Sequence, residues 1–282
     1  MIIVTAATGQ LGRLVIAGLL KTTPAAQIVA AVRDPAKAAD LAAQGVQVRR
    51  ADYSDPASLD AAFVGATKVL LISSNALGNR VAQHRNVIDA AARAKVGLLA
   101  YTSVLHADRS PLGLAGEHRE TEAAVRASGL PFSLLRNGWY IENHTGGLGG
   151  AVAHGALAGA AGEGRISAAA RADYAEAAAA VLASTGPVEQ VYELAGDTGF
   201  TLAELAAEVS RQTGKTIPFH NLPQADYRAM LIGLGLPAPL ADLIADSDAQ
   251  AAQGALFDDS RILSKLIGHP TISLTAAVEA AL

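Results

Sequence analysis

Met1-Ile2-Ile3-Val4-Thr5-Ala6-Ala7-Thr8-Gly9-Gln10-Leu11-Gly12 opens the chain. Ile2 to Thr5 is a short apolar, β-branched run, the pattern of a buried strand. From Gln10 to Leu20 the apolar residues Leu11, Leu14, Val15, Leu19 and Leu20 recur at helical spacing. Between strand and helix lies a turn holding Gly9, with Gly12 inside the first helical turn. Such a junction is a phosphate-binding device, because free N–H groups and the positive end of the helix dipole converge on the turn. Gly9 lets the backbone approach a pyrophosphate, and Gly12 lets the helix lie close to the strand. The full fingerprint would carry glycine at position 6, where this chain has Ala6. The competing interpretation is an ordinary small-residue turn.

The alternation continues outward from this stretch. Strands are expected at 28–32, 46–49, 68–73, 97–102 and 132–135, with helices at 36–43, 56–63, 79–94 and 117–128. Asp55 and Pro56 read as N-cap and first helical residue. This is the signature of an α/β doubly wound parallel sheet, a Rossmann fold. After Arg136 the texture changes. Residues 146–164 are rich in glycine and alanine and read equally as a mobile loop or as close-packed backbone. A helix at 172–182, a strand at 191–194 and a helix begun by a Thr201/Glu204 capping box follow. Residues 222–252 look helical, broken near Pro237 and Pro239, and the second half has too few strands for a sheet of its own. The expected division is a dinucleotide-binding domain over 1–145, with returning segments near 165–196 and 255–270. Residues 146–282 would then be largely a small, mainly helical substrate lobe interleaved with it.

Composition narrows the function classes. With 282 residues, 51% hydrophobic and 17% charged, the chain can bury a large core. A net charge of -4 argues against nucleic acid or an anionic membrane as the main partner. The absence of cysteine removes disulfides, thiolate nucleophiles and Cys-ligated metals. No signal peptide is visible and no stretch approaches the roughly 18 apolar residues of a membrane span, so a cytoplasmic protein is expected. The seven histidines show no His-Glu-x-x-His spacing, and no metal is expected.

In a doubly wound sheet, ligands lie beyond the carboxyl ends of the strands. The polar residues there are Thr8, Gly9, Gln10 and Leu11 after the first strand and Arg33 after the second. Arginine at that place favours the 2′-phosphate of NADP, although Asp34 is adjacent. Asp52 follows the third strand, as an adenine contact or a turn cap. Ser73, Ser74 and Asn75 follow the fourth, Thr102, Ser103 and His106 the fifth, and Asn137, Gly138, Trp139 and Tyr140 the sixth. Many short-chain dehydrogenases protonate their product with a Tyr-x-x-x-Lys pair. None of the six tyrosines here has lysine four residues on. Where the pair belongs, the chain has His118 and Glu122, one helical turn apart and able to pair. There is no Gly-x-Ser-x-Gly elbow for a hydrolase.

The segments Ala7-Thr8-Gly9-Gln10-Leu11-Gly12, Arg33-Asp34-Pro35-Ala36-Lys37, Leu71-Ile72-Ser73-Ser74, Tyr101-Thr102-Ser103, Leu135-Arg136-Asn137-Gly138-Trp139-Tyr140, Tyr192-Glu193-Leu194-Ala195-Gly196 and Leu266-Ile267-Gly268-His269-Pro270 occur in this order. Together they resemble the NmrA-like atypical short-chain dehydrogenases, nearly end to end. The resemblance implies that Ala6, Ala7, Thr8, Gly9, Gln10 and Leu11 wrap the pyrophosphate of NADP(H) and that Arg33 meets its 2′-phosphate. Ser73, Ser74 and the loop Asn137 to Tyr140 would line the cofactor. Asn143 would lie near nicotinamide and substrate, where it and Tyr140 could steady developing charge. Ala6 departs from the family's glycine. The expected activity is NADPH-dependent hydride transfer to a quinone. The alternatives are another flat activated acceptor (a triarylmethane dye, an imine or an enone) and a non-catalytic NADP(H)-binding redox sensor. A homodimer is left open.

Overall fold

A computed structural model of the chain describes residues 1–76 and 78–282. β1 (Ile2–Thr5) is buried along its whole length and leads through the turn into α1 (Gln10–Leu20). Then follow β2 (Ile28–Val32), α2 (Ala39–Ala43), β3 (Gln47–Arg50), α3 (Pro56–Ala62), β4 (Lys68–Leu71), α4 (Arg80–Arg93), β5 (Leu98–Val104), α5 (Ala115–Ala127) and β6 (Phe132–Asn137). α3 starts as its sequence predicts: Asp55 accepts the Ser58 N–H and Pro56 takes the first position, where no N–H is needed. The later elements are α6 (Glu142–Thr145), α7 (Leu148–His154), β7 (Leu157–Gly159), α8 (Arg171–Ala183), β8 (Val191–Leu194), α9 (Leu202–Thr213), β9 (Phe219–Asn221), α10 (Gln224–Gly233), α11 (Ala238–Ala251), α12 (Ile262–Ile267) and α13 (Leu274–Glu279).

The main sheet is seven-stranded, in the order β3-β2-β1-β4-β5-β6-β8, and parallel from β3 through β6. Strand order reverses between β1 and β4, which makes their carboxyl ends the switch point where such sheets bind ligands. Thr5 stitches these two strands: its hydroxyl donates to the Leu70 carbonyl (2.8 Å) and accepts the Ile72 N–H (3.1 Å). On one face of the sheet Ile3, Val69, Leu71 and Leu99 pack with Leu59, Phe63, Val87, Ile88 and Val125. Each fully buried Leu, Ile or Phe in such a cluster contributes roughly 1.5–3 kcal/mol. α1 and the alanine-rich α8 pack together closely: a Cβ on Gly18 would stand 3.0 Å from that of Ala179.

Contacts along the chain define two compact units. The first holds 1–107, 117–137 and 171–192, the second 108–116, 138–170 and 193–282. In the second, the capping box at Thr201 and Glu204 forms as expected. The helical stretch 222–252 breaks between α10 and α11, where Gly235 takes φ +90° and Pro237 is the N-cap.

One expectation needs correction. The second unit does carry a sheet of its own, a parallel pair formed by β7 and β9, so it is less purely helical than predicted. Strands of three residues leave too short a pattern to read. Of the two readings left open for the glycine-rich stretch 146–164, ordered backbone is the one found, with α7 and β7 inside it. Its glycines divide. Cβ atoms on Gly149 and Gly150 would meet nothing, whereas one on Gly164 would lie 2.2 Å from the Ala251 carbonyl oxygen.

Candidate functional site

In the first unit the turn after β1 is drawn tight. The Gly9 N–H donates to the Ala6 carbonyl (2.9 Å), and α1 starts with no side chain capping it and no acid in its first turn. Its first N–H groups are therefore available to an anion. Ala6 adopts φ +48°, the left-handed conformation that glycine holds without strain. A Cβ on Gly12 would lie 2.6 Å from the Ala6 oxygen and 2.7 Å from the Ala7 Cα. Helix and turn thus meet backbone to backbone. Thr8 is half-buried, Gly9 and Gln10 are exposed, and Ala7 and Leu11 are buried.

Arg33 is exposed just past β2, and its guanidinium makes no hydrogen bond or ion pair among the described residues. Its neighbours are occupied. The Asp34 carboxylate accepts the Ala36 N–H and caps the short helical turn 35–38. Arg13 pairs with Asp40 and donates to the Lys37 carbonyl. Asp52 accepts the Ser54 N–H, so it caps a turn.

After β4, Ser73 and Ser74 are half-buried and Asn75 is exposed. The Ser73 N–H donates to Thr102 Oγ1 (2.9 Å), and Ser103 Oγ donates to Glu122 (2.7 Å). Thr102 and Ser103 are both buried, with hydroxyls bonded inside the unit. Asn137, at the end of β6, is buried, and its Oδ1 has no hydrogen-bond partner. These residues all lie at the carboxyl edge of one sheet.

The anticipated His118–Glu122 pair does not form. Glu122 takes both Nε and Nη2 of Arg136 (2.9 and 2.7 Å) in a buried ion pair. His118 Nδ1 bonds the Tyr101 hydroxyl at 2.7 Å. Burial, then the Arg80 and His84 charges, lowers the His118 pKa to about 3, so the ring is neutral. Burial raises the Tyr101 pKa. Tyr101 is wholly inaccessible, a poor proton donor for any ligand.

The residues sequence reasoning missed stand behind this edge. The Tyr53 hydroxyl lies against both the Ile72 carbonyl and the Thr5 hydroxyl. Arg80, Gln83 and His84 of α4 all bond Ser74. The available signal was polar residues on the helix face that Val87, Ile88 and Ala91 bury.

In the second unit the segment after Asn137 is held by backbone. Gly138 donates to the Leu194 carbonyl, the Ala169 N–H donates to Trp139, and Ile141 donates to Ala169. Trp139 and Tyr140 are half-buried. Asn143, in the single turn of α6, is exposed, and its side chain has no bond among the described residues. Beside it, His144 Nε2 is buried without a partner and its ring meets Phe200 edge-on. Burial lowers its pKa to about 4.

A dinucleotide fits the first unit's edge: an uncapped helix start, an uncommitted cation past β2 and an orphaned Asn137 oxygen. Among the described residues no helix is long and apolar enough to cross a membrane. Comparison with known proteins agrees with this geometry. Quinone oxidoreductase 2 of Escherichia coli (strain K12) is 57% identical over 278 residues, 99% of this chain and 97% of that protein. The crystal structure of the NADPH-dependent quinone oxidoreductase from Escherichia coli complexed with NADPH superposes with a TM-score of 0.97, covering 99% of each chain. Citrobacter sp. triphenylmethane reductase complexed with NADP(H) has a TM-score of 0.95 at 38% identity, over all of both chains. Residues 6–185 match the sequence model of the NAD(P)H-binding proteins. The chain belongs to this NAD(P)H-binding family.

Proposed function

We propose that this chain is an NADPH-dependent oxidoreductase that transfers a hydride to a quinone. The observation that carries the proposal is its 57% identity, over 99% of its length, to an enzyme named for that reaction. Ala6 to Leu11 and the start of α1 would hold the pyrophosphate, and Arg33 the 2′-phosphate. Ser73, Ser74, Asn75, Thr102, Ser103 and Asn137 would line the cofactor, and Gly138, Trp139 and Tyr140 would be further cofactor contacts. When bound, NADPH supplies the hydride. The chain's own task is then to hold a flat acceptor and tolerate its charge. A reduced quinone is first a hydroquinone monoanion, whose charge spreads over the ring and is quenched by water. A simple ketone would instead give a localised alkoxide, for which a proton donor matters. The burial of Tyr101 against His118, and the absence of a Tyr-x-x-x-Lys pair, favour the acceptor that needs no such donor. Asn143, with its free amide, and Tyr140 would steady the monoanion by hydrogen bonding. A cytoplasmic setting and a small-molecule partner go with this assignment; a homodimer is the assembly to test by light scattering.

Oxidation of NADPH against a panel of quinones, dyes and simple ketones, with NADH as control, tests the activity. Turnover with quinones and little with unactivated ketones is expected; the reverse ranking would refute the mechanism. Arg33→Ala should weaken NADPH by about 1.5–3 kcal/mol, the range for charged hydrogen bonds, and leave NADH nearly unchanged. Equal losses for both would remove Arg33 from the phosphate site. Asn143→Ala should lower quinone turnover by about tenfold or more, against less than tenfold for His118→Ala; a larger loss in the His118 variant would reveal a proton relay.

A further inference from the structure

The segment Ser73–Asn75 is gripped from behind in an unusual way, all within the first unit. At Ser74 both backbone polar groups are taken by side chains of one helix. The N–H donates to His84 Nε2 at 2.9 Å, and the carbonyl accepts from Arg80 Nε at 2.7 Å. The Ser74 hydroxyl, in turn, donates to Gln83 Oε1 at 2.5 Å. Each gripping residue is itself fixed. His84 is fully buried; its Nε2 accepts, so its proton is on Nδ1, which donates to Thr121 Oγ1 (3.0 Å). Thr121 Oγ1 passes its own proton to the Glu117 carbonyl (2.8 Å). Arg80 is buried too, with Nη1 3.1 Å from Glu117 Oε2, and the other Glu117 oxygen accepts the Gly78 N–H. Gln83 reaches on to Ser54 and Asn86 to the Tyr53 carbonyl, so α4 ties the segments after β3 and β4 together. Burial and the Arg80 charge keep the imidazole in the neutral form this arrangement needs, with a pKa of about 3.

We infer that His84 and Arg80 are positioning residues, which set the backbone of Ser73–Asn75 in the shape that receives the cofactor without touching it themselves. The inference rests on the NADPH assignment above. A loop otherwise free to sample many conformations would lose entropy on binding; one already held does not. Removing the grip should therefore appear in cofactor affinity and in loop exchange, not in the chemical step.

The test contrasts two amides at one position in the full-length protein. His84→Gln puts an acceptor where Nε2 stood and keeps the Ser74 bond. His84→Asn puts its amide where Nδ1 stood, keeping the Thr121 bond and leaving the Ser74 N–H unmet. Hydrogen exchange at the Ser74 amide, read by NMR without cofactor, should speed up by about tenfold or more in the Asn variant and little in the Gln variant. The NADPH Kd, titrated by cofactor fluorescence, should rise about tenfold in the Asn variant, the size of one lost bond of this kind. Quinone turnover at saturating NADPH should stay within about twofold in both. The inference is overturned if exchange accelerates but the Kd does not move, or if both variants lose affinity alike in step with their Tm. A wild-type protein that fails to bind NADPH would refute the assignment itself. The exchange contrast would then show whether the grip exists for something else, so the two failures can be told apart.

Discussion

Two segments follow neighbouring strands of the same sheet and reach a fixed shape by opposite means. Ala6–Gly9 after β1 is shaped by backbone alone: a left-handed residue, one tight turn bond and a helix with no Cβ to hold it away. Ser73–Asn75 after β4 is shaped by side chains that lie up to ten residues further along the chain. The difference decides where each is vulnerable. The first should fail at its own glycines. The second should tolerate change within itself and fail at positions on α4.

The largest expected effect breaks the first segment. Gly12→Val would drive a branched side chain into the Ala6 and Ala7 backbone, where even a Cβ finds only 2.6–2.7 Å. Neither neighbour is a flexible side chain that could step aside. The fold should lose about 3 kcal/mol or more, the upper end for overpacking. In a chain of this size that lowers Tm by roughly 6–12 °C. An unchanged Tm would mean that α1 can move off the strand, and that backbone contact is not what shapes the turn.

A pH titration sharpens the second segment. His84 and His118 are held neutral with pKa values of about 3, and His144 of about 4, against an ordinary 6.5. In each case the unfolded chain binds a proton that the folded one refuses. The stability is thus present in full above about pH 6.5 and is lost as pH falls toward the folded values, at about 1.4 kcal/mol per histidine per unit. Asp248 runs the other way: burial raises its carboxyl to about 6, so stability rises as pH falls from there toward 3.8. Three histidines outweigh one carboxylate. Urea unfolding should show lower stability at pH 5.5 than at pH 7, and His84→Gln should flatten that slope by one histidine's share. Equal stability at both pH values would show that the imidazoles accept protons without releasing their partners.

The smallest effect relieves the first segment. Ala6 at φ +48° carries strain that glycine would not, while glycine adds freedom to the unfolded chain. Ala6→Gly should stabilise the protein by about 1 kcal/mol or less, measured as a rise in Tm. A loss would mean that the methyl group packs favourably enough to outweigh its conformation.

Legibility followed the range over which each feature is encoded. β1, α1, β2 and β8 lie where their residues predict, because alternation, β-branching and helical spacing are local. The capping box at Thr201 and the Asp55–Pro56 start are local too. The grip on Ser74 was not legible, since His84 and Thr121 meet through tertiary packing 37 residues apart. His118 and Glu122 misled for the same reason. Helical spacing makes them neighbours, but Tyr101 and Arg136 offer each a better partner from the sheet. Gly159 and Gly164 carried no local sign that they were crowded, because Leu202 of α9 and Asp248 and Ala251 of α11 do the crowding. Arg33 was singled out correctly as a post-strand cation, yet only the structure shows Asp34 occupied beside it.

That occupation has a practical consequence for redesign. Two adjacent residues of opposite charge follow β2, and they have separate surroundings: Asp34 secures the next helical turn, while the Arg33 guanidinium makes no hydrogen bond or ion pair among the described residues. The anchoring of the turn and the exposed cation are thus uncoupled at a single peptide bond. Under the assignment of Arg33 proposed above, an engineer wishing to switch this protein to the other nicotinamide coenzyme has a one-residue address at position 33. Diversity introduced there can be selected for coenzyme choice alone, because the turn that follows keeps its own anchor.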